Sequence, residues 1–423
     1  MQPNNSRRQF LQSSGALILG AAATSSQFSA AQTELADKLK SAIADEDYWS
    51  MVRAQFSFSE SSIPMNAANL CPSFRSVAEV VDVLTADIDR DCSFNNRGKF
   101  SDLLTRSRSL VAEQLNVSAD EIALVRNTSE ANNIINNGLQ LESGDEILLW
   151  DQNHPTNNVA WDVRAARFGL TVNKVSTPQN PSSEEELLDS FTSQFNSRTR
   201  VLALTYVSNL SGIKLPISEL VEAAHARGIY VHVDGAQVWG AMDLDLKLLD
   251  VDSFSASAHK WFMGPKEVGL LYVKGSNIER IWPSVIAPGW GGGVDTSLVG
   301  ARKFESLGQR DDAALAAVGV TATLHNNIGT QRIEARITQL AQQLKRGIVD
   351  LGQELVTPMD AELSLGVCIV KAQNGQGGSI SNRLYTEHGI AVAATGGVRL
   401  CPTIYNTAVH IERALSAIEA LMT

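Results

Sequence analysis

Polar side chains follow several of the apolar runs in this sequence, at positions where strands of a sheet would end. These segments are Asn127-Thr128-Ser129-Glu130, Asn153-His154, Ser208-Asn209, Asp234-Gly235-Ala236-Gln237 and Ser257-Ala258-His259-Lys260. Open α/β sheets bind ligands at the carboxyl ends of their strands. Each segment alone has an ordinary structural explanation, because an aspartate after a strand often caps the next helix. Together they predict one site that combines an amine, a carboxylate and several hydroxyls.

Those groups match the needs of a pyridoxal phosphate site. A lysine amine must form a Schiff base with the cofactor's aldehyde and move protons at the substrate α-carbon. An acidic group must keep the pyridine nitrogen protonated, and donors at a helix N-terminus must hold the phosphate. A flat side chain must cover the ring, and a donor must face its phenolic oxygen. The assigned residues are Lys260 for the aldehyde, Asp234 for the nitrogen, Thr128, Ser129, Ser257 and His259 for the phosphate, His154 for the ring face, and Asn209 or Gln237 for the phenolic oxygen.

The order of these motifs resembles the class V aminotransferase family of fold-type I pyridoxal phosphate enzymes, which includes cysteine desulfurases and isopenicillin N epimerase. The resemblance runs from about Asn66 to the C-terminus. VSNLSG resembles the family's SN-x-x-G loop, HVDGAQ its pyridine-nitrogen strand, and SASAHKWFMGP its lysine segment. VRLCPTIYNT resembles the arginine motif that binds carboxylates. The resemblance implies that Arg399 clamps the substrate α-carboxylate in a bidentate pair and that Asn66 also contacts the substrate.

Two positions depart from the family pattern. FESLGQRDDAA resembles the FE-x-x-GTRD segment of isopenicillin N epimerase-like members, with Gln309 in place of the threonine. In relatives this segment reaches the partner's phosphate, which implies a homodimer in which the Gln309 amide donates a hydrogen bond. The family's HH-x-N stretch corresponds here to Asn153-His154-Pro155-Thr156-Asn157. An alternative alignment places Pro155 over the ring, but we prefer His154 because an imidazole face stacks better.

The predicted reaction begins when Lys260 removes a proton from the α-carbon of an amino acid or a peptide-like metabolite. Transamination needs no further acid or base, so we expect an aminotransferase. Isopenicillin N epimerase-type epimerisation needs a second acid/base that the sequence does not identify, and a C–S or other β-lyase is a further alternative. Cysteine desulfuration is disfavoured because no cysteine precedes Arg399 in Thr395-Gly396-Gly397-Val398. Exported relatives that tailor a siderophore's glutamyl group imply one more alternative, a periplasmic siderophore-tailoring enzyme.

Two further classes of function are weighed against the enzyme. A binding module that has lost catalysis would lack Lys260 or Asp234, and both are present. A nicotinamide-dependent oxidoreductase would carry GxGxxG after its first strand, and this sequence does not.

The elements that position these residues alternate along the chain. Short apolar runs recur at Ile122–Val125, Glu146–Trp150, Leu170–Val175, Arg200–Val207, Tyr230–Val233, Ser253–Ser255 and Gly269–Val273, with helical segments between most of them. This pattern predicts an α/β fold of the fold-type I class, with a large, mostly parallel-sheet domain at 66–295. The pattern then changes, and it predicts a smaller α+β domain at 296–423. Two helices within Asp311–Leu351, strands near Ser364–Val370 and Gly396–Leu400, and a final helix Ala408–Met422 are expected there.

The N-terminus carries a twin-arginine pattern, Ser6-Arg7-Arg8-Gln9-Phe10-Leu11, followed by an apolar stretch and small residues at Ser29-Ala30-Ala31. We interpret residues 1–31 as a Tat export signal, and 32–65 as an N-terminal arm. The alternative is an irregular start with two chance arginines. The signal predicts a periplasmic enzyme that uses the Tat export machinery.

Charge and composition exclude several partners. The chain carries 35 basic and 46 acidic residues, a formal net charge of -11, with no basic cluster of the kind that nucleic acid or an anionic membrane would need. No apolar run is long enough to span a bilayer in the mature form. The histidines lack metal-ligand spacing. Cys71, Cys92, Cys368 and Cys401 match no metal or CxxC pattern, and we expect half-buried thiols, although an oxidising compartment would permit disulfides.

Overall fold

The computed structural model describes residues 46–286, 299–373 and 375–422. The predicted export signal at 1–31 lies outside the described residues, as does the first part of the predicted arm. The predicted domain boundary between residues 295 and 296 also lies outside them. These expectations stay predictions.

The strands form one large sheet and two small ones. In chain order they are β1 Ile63–Pro64, β2 Ile122–Val125, β3 Glu146–Trp150, β4 Thr171–Val175, β5 Thr199–Thr205, β6 Tyr230–Asp234, β7 Ser253–Ser257, β8 Gly269–Val273, β9 Cys368–Val370, β10 Ile390–Ala391 and β11 Val398–Leu400. The large sheet has seven strands in the order β2-β8-β7-β6-β5-β3-β4. β8 runs opposite to the other six strands of this sheet, so the prediction of a mostly parallel sheet is confirmed.

Helices lie between most of the strands. They are α1 Glu46–Arg53, α2 Arg75–Arg90, α3 Phe94–Arg97, α4 Lys99–Gln114, α5 Thr128–Gly138, α6 Pro155–Phe168, α7 Glu184–Thr192, α8 Ile217–His225, α9 Leu246–Leu249, α10 Asp312–Ile328, α11 Thr330–Asp350, α12 Gly377–His388 and α13 Ala408–Met422. Every residue of β2, β3, β6, β7 and β8 is buried. Helical cover on both faces accounts for this burial and for the nearly continuous apolar runs of the central strands.

Six observed strands differ from their predicted bounds: β4, β5 and β6 by one or two residues at an end, β11 by a later start, and β7 and β9 as follows. β7 extends two residues beyond the predicted end, because Ala256 and Ser257 pair with β8 in the antiparallel ladder. Its small polar residues gave little β signal in the sequence. β9 begins four residues later than predicted, since Ser364 instead forms an isolated bridge with Ile213 and bonds the Lys345 ammonium at 2.6 Å.

A smaller unit packs beside the large sheet. Its core contains residues of α11, α12 and α13 together with the antiparallel pair β9–β11 and the parallel pair β1–β10. The β1–β10 pairing brings a segment from the start of the described chain into this unit. Helix α10 is buried along almost its whole length and packs against α2 and α4, so it belongs structurally with the large sheet.

Candidate active site

A cavity of about 250 Å³ opens at the carboxyl ends of the parallel strands. It is lined by Asn69, Asn127, Thr128, Ser129, His154, Thr156, Thr205, Asn209, Asp234, Ala236, Gln237, Ser257, His259 and Lys260. Most of the residues that the sequence analysis assigned to the site therefore lie around one space. A larger cavity of about 580 Å³ lies at the opposite edge, lined by Val201, Tyr230 and others but by none of the predicted site residues. The chemistry is concentrated in the smaller cavity.

Lys260 lies in a tight turn that follows β7. The turn is closed by hydrogen bonds from Met263 N to Lys260 O at 2.8 Å and from Gly264 N to Ala258 O at 2.7 Å. Burial lowers the pKa of the Lys260 amine, the Asp234 carboxylate partly opposes this effect, and the Arg399 guanidinium adds to it. A lysine in such surroundings is available as a neutral nucleophile and base more readily than one on the surface.

Asp234 is the last residue of β6 and is 2% exposed. Its Oδ1 accepts a hydrogen bond from Ala236 N at 3.0 Å, and its Oδ2 accepts one from Asn132 Nδ2 at 2.9 Å. The register pairs Asp234 with Thr205 on one side and Ser255 on the other. Its carboxylate therefore lies in the middle of the sheet edge that forms the cavity floor.

The position of Asp234 depends on a glycine. A Cβ on Gly235 would lie 1.8 Å from the Cζ atom of Phe254, whose ring is fully buried. The chain can turn from β6 into the cavity loop only because this residue lacks a side chain.

A buried hydrogen-bond chain extends behind Asp234, and the sequence analysis missed it. Asn132 Oδ1 accepts from His232 Nε2 at 2.9 Å and from Ser255 Oγ, and His232 Nδ1 is bonded to Ser253 Oγ at 2.8 Å. Burial lowers the pKa of His232 to about 3, so this histidine is neutral at physiological pH. A signal was available: His232 shares a strand face with Asp234, and Ser253 shares one with Ser255 and Ser257.

The predicted phosphate-binding groups meet at the N-terminus of α5. Thr128 N donates to Ser257 Oγ at 2.8 Å, and the Thr128 and Ser257 hydroxyls are bonded at 2.6 Å. Ser129 Oγ lies 3.4 Å from Thr156 Oγ1, and His259 lines the same cavity. Burial, with the charges of Lys260 and Lys266, lowers the pKa of His259 to about 4. Hydroxyls at a helix N-terminus form a site suited to a phosphate.

His154 lines the cavity, whereas Pro155, the first residue of α6, is not among the lining residues described. Nδ1 of His154 accepts from Thr156 N at 3.3 Å and so caps α6. Burial, with the charge of Lys260, lowers the pKa of His154. The ring is therefore neutral and held by its own helix, at the point where the sequence analysis placed a flat side chain.

Gln237 and Asn209 line the cavity from two different loops. Oε1 of Gln237 accepts from the indole N–H of Trp261 at 2.8 Å, and Nε2 donates to Ala68 O at 3.1 Å. Because an indole nitrogen only donates, this contact fixes the orientation of the amide. One N–H of Gln237 stays available for a ligand oxygen.

Arg399, on β11, is 4% exposed and lies beside the cavity loops. Nη1 donates to Asn209 O and Nη2 to Asn66 Oδ1, both at 3.1 Å. The buried Nε has no protein partner. The two residues that the family resemblance assigned to the substrate are thus in direct contact with each other.

Three predicted site residues are not among those that line the cavity. Arg399 and Asn66 border it through Asn209, whereas Gln309 contacts none of the lining residues. Its Oε1 accepts from Arg97 Nη2 at 2.7 Å, and its Nε2 donates to Arg310 O at 2.9 Å. Its proposed contribution to a partner's phosphate stays a prediction.

Several lining residues carried no assignment from the sequence: Asn69, Asn127, Thr156, Thr205 and Ala236. The Thr205 hydroxyl is buried and has no protein partner. The Arg399 Nε is also without a protein partner. These two groups, the Asp234 carboxylate, the Lys260 amine and the hydroxyls at the start of α5 form a set of donors and acceptors. That set fits pyridoxal phosphate and the carboxylate of an amino acid. The residues that would hold the cofactor are therefore present and assembled.

No cysteine is among the described residues that line the cavity. The four cysteines are free thiols, three of them buried and Cys92 exposed, so the expectation of half-buried thiols was wrong. Burial raises the pKa of Cys71 and of Cys368 to about 12 in each case, so these thiols stay protonated. Within the described ranges, no group of three or more metal-ligating side chains comes together. None of the helices described there is both long and apolar enough to cross a membrane.

Comparisons with known proteins agree with this geometry. The sequence profile of the family described as Aminotransferase class-V matches residues 86–416. The isopenicillin N epimerase of Streptomyces clavuligerus is 28% identical over 397 residues, which cover 90% of this chain and 99% of the relative. The corresponding protein of Amycolatopsis lactamdurans is 28% identical over 88% of this chain and 98% of its own. A cysteine desulfurase of Escherichia coli is 35% identical over 179 residues, 42% of each chain.

Solved structures share the fold. A C-DES variant with glycine covalently linked to the PLP cofactor superposes with a TM-score of 0.80 at 23% identity, covering 87% of this chain and 99% of the other. The apo cysteine desulfurase of Thermococcus onnurineus superposes with a TM-score of 0.78 at 23% identity, covering 89% and 98%. At these identities the likeness establishes the fold alone.

Proposed function

The chain belongs to the class V aminotransferase family, whose enzymes use pyridoxal phosphate, and on this basis we propose that it transfers the α-amino group of an amino acid or a peptide-like metabolite. The observation that carries the proposal is the setting of one amine. Lys260 lies in the cavity, and its amine is within electrostatic reach of both Asp234 and Arg399. Amino transfer to an oxo-acid acceptor needs a single group that moves a proton, and Lys260 can serve alone.

Each step that the protein performs can be assigned to a described residue. Bound pyridoxal phosphate supplies an electron-withdrawing ring that makes the hydrogen on the substrate α-carbon acidic. Arg399 binds the α-carboxylate and so orients that carbon, because a guanidinium matches a carboxylate in a two-point pair. Lys260, whose pKa is lowered by burial, accepts the α-proton at Nζ in its neutral form. The Asp234 carboxylate accepts a hydrogen bond from the ring nitrogen and so keeps that nitrogen protonated.

The remaining residues hold the cofactor and exclude water. Thr128 and Ser257 present hydroxyls to the phosphate at the start of α5. His154 covers one side of the cavity with a neutral ring. Gln237 offers its free N–H to the ring oxygen.

Donor and acceptor assays test this proposal. Purified protein is incubated with pyridoxal phosphate, a panel of amino donors and a 2-oxo acid, and formation of the new amino acid is measured. We expect activity that falls by at least about 10²–10⁴-fold in Lys260→Ala, the range that a general base contributes. Lys266→Ala is the control, since Lys266 is a lysine close by in the sequence that is exposed and bonds Ser73 at 2.9 Å, and it should retain activity. Absence of amino transfer with every donor would overturn the proposal.

Epimerisation is the second candidate, favoured by the similarity to two isopenicillin N epimerases over most of the chain. It needs an acid/base besides Lys260, and neutral His154 in the same cavity can serve. Epimerisation in deuterium oxide would place deuterium on the α-carbon while the amine is retained. Inversion at the α-carbon should then be lost in His154→Phe, while the exchange that Lys260 performs on one face should persist. Release of a β-substituent with neither outcome would instead indicate a lyase.

We also propose that the protein is exported and acts on secreted or maturing peptide-like metabolites, siderophores included. The support is the twin-arginine pattern at Arg7 and Arg8. Replacing both with lysine should retain the protein in the cytoplasm, as measured by cell fractionation. An unchanged distribution would contradict export by this route.

A homodimer is proposed from the resemblance of the segment around Gln309. Sedimentation should give twice the chain mass, and Gln309→Ala should weaken cofactor binding without changing that mass. A monomer with full cofactor affinity would contradict the proposal.

A further inference from the structure

The buried face of Asp234 is contacted by a side chain that belongs to no binding surface. Asn132 lies on α5 and is 1% exposed. Its Nδ2 donates to Asp234 Oδ2 at 2.9 Å. It does not line the cavity, so any influence it has on a bound molecule passes through Asp234.

The orientation of the Asn132 amide is fixed by two donors. His232 Nε2 and Ser255 Oγ both approach its Oδ1. The opposite orientation would place the amide oxygen against the Asp234 carboxylate and the NH₂ group against the two donors. The Nδ2–H bond to Asp234 is therefore the orientation that the surroundings require.

His232 contributes through its tautomer. Its Nδ1 is bonded to Ser253 Oγ at 2.8 Å, and the ring is fully buried. Because the Asp234 carboxylate only accepts, the Asn132 NH₂ group faces it and the amide oxygen faces His232 Nε2. Nε2 therefore carries the proton, and Nδ1 accepts from the Ser253 hydroxyl. Ser253, His232 and Ser255 thus orient the Asn132 amide, whose Nδ2–H donates to the Asp234 carboxylate.

We propose that Asn132 is a positioning residue that keeps the proton shared by Asp234 and the cofactor's ring nitrogen on the nitrogen. A hydrogen bond to a carboxylate stabilises its charged form. Without that donor, the neutral pair of a carboxylic acid and an unprotonated ring nitrogen becomes more favourable. The proposal rests on the proposed function only in its use of pyridoxal phosphate, not on which reaction follows.

The test measures the protonation of the cofactor's ring nitrogen directly. The nitrogen-15 NMR shift of ring-labelled pyridoxal phosphate bound to the protein reports whether the nitrogen is protonated. Asn132→Leu should move the equilibrium toward the unprotonated nitrogen by about tenfold, the usual size of one hydrogen bond to a charged group. Asn136→Leu is the matched control: Asn136 lies one turn later on α5, is equally buried and does not bond Asp234. Its nitrogen shift should equal that of the unmodified protein.

Ser255→Ala keeps the test decisive if Asn132→Leu fails to fold. It removes one of the two donors that orient the amide and should give a smaller change, about threefold, in the same direction. An unchanged shift in Asn132→Leu, or in Ser255→Ala where the first variant is not folded, overturns the proposal. So does an equal change in Asn136→Leu. The NMR measurement needs bound cofactor but no turnover. It can therefore be interpreted even if the protein transfers no amino group.

Discussion

Arg399 and Asn66, 333 residues apart in the sequence, are joined by a 3.1 Å hydrogen bond from Nη2 to Oδ1. The other terminal nitrogen of Arg399 donates to Asn209 O at the same distance. The guanidinium is therefore oriented before a substrate carboxylate arrives. Such preorganisation reduces the ordering entropy that is lost on binding.

Replacing Arg399 with lysine should raise the KM for a substrate with a free α-carboxylate by roughly 10–100-fold, because an ammonium cannot reproduce the two-point pair. The measurement is steady-state kinetics with the best amino donor. Arg336→Lys is the control, since Arg336 is also buried but bonds Glu46 at 2.6 Å, and its KM should stay close to that of the unmodified protein. Equal effects of the two changes would contradict the role of Arg399.

The pH dependence of cofactor binding should report the Lys260 amine. Only the neutral amine attacks an aldehyde, so the association rate of pyridoxal phosphate with the apoprotein should rise with pH. Its midpoint should lie below the ordinary lysine value of about 10.4, because burial lowers the Lys260 pKa. Since the Asp234 carboxylate raises that pKa, Asp234→Asn should move the midpoint to lower pH. Stopped-flow absorbance measures the rate, and an upward shift would contradict this account.

Gly235→Ala should disrupt both stability and the site. The added methyl would meet the buried Phe254 ring at 1.8 Å, and overpacking of this kind costs about 1–3 kcal/mol. Displacement of Asp234 should also weaken cofactor binding. Urea unfolding and cofactor titration measure the two effects. Gly378→Ala meets open space and should leave both unchanged or slightly increase stability.

The protein should lose stability as the pH falls below about 6.5, the ordinary histidine pKa. Burial lowers the pKa of His325 to about 4, so between these values the unfolded chain binds a proton that the folded chain does not. The free energy of unfolding then falls with pH, by up to roughly 3 kcal/mol for this residue, and levels off below pH 4. His325→Gln keeps an N–H for the Phe262 carbonyl, which His325 Nε2 approaches at 2.9 Å. Its unfolding free energy should fall less between pH 7 and 5. An identical fall in the free energy of unfolding of both proteins would show that His325 does not cause the loss of stability.

Much of the site could be predicted from the sequence because its groups follow the strands directly. The Asp234 and Lys260 segments each follow a buried strand directly, and parallel strands bring such segments to one edge. The strand Gly269–Val273 was likewise predicted to the residue, since both of its faces are apolar and buried.

The rest required tertiary structure. Asn132 reads as one of several asparagines on α5, and nothing local distinguishes the one that faces Asp234. Thr205 and Thr156 are ordinary residues of a strand and a helix start until neighbouring strands define the cavity. The smaller unit was harder because its strands are only two or three residues long, and pairs such as β1–β10 join distant parts of the chain.

The Gln237 amide links the three segments that carry Lys260, Asp234 and the partner of Arg399. The indole of Trp261, the residue after Lys260, donates to Gln237, which lies three residues after Asp234. The amide of Gln237 in turn donates to Ala68 O. Ala68 lies two residues from Asn66, which accepts from Arg399. The segments that carry the amine, the carboxylate and the partner of the guanidinium are thus joined through one amide, in addition to the contacts that Asp234 and Arg399 each make separately. Loss of the Gln237 amide would therefore remove a contact from the lysine segment and from the Asn66 segment at the same time.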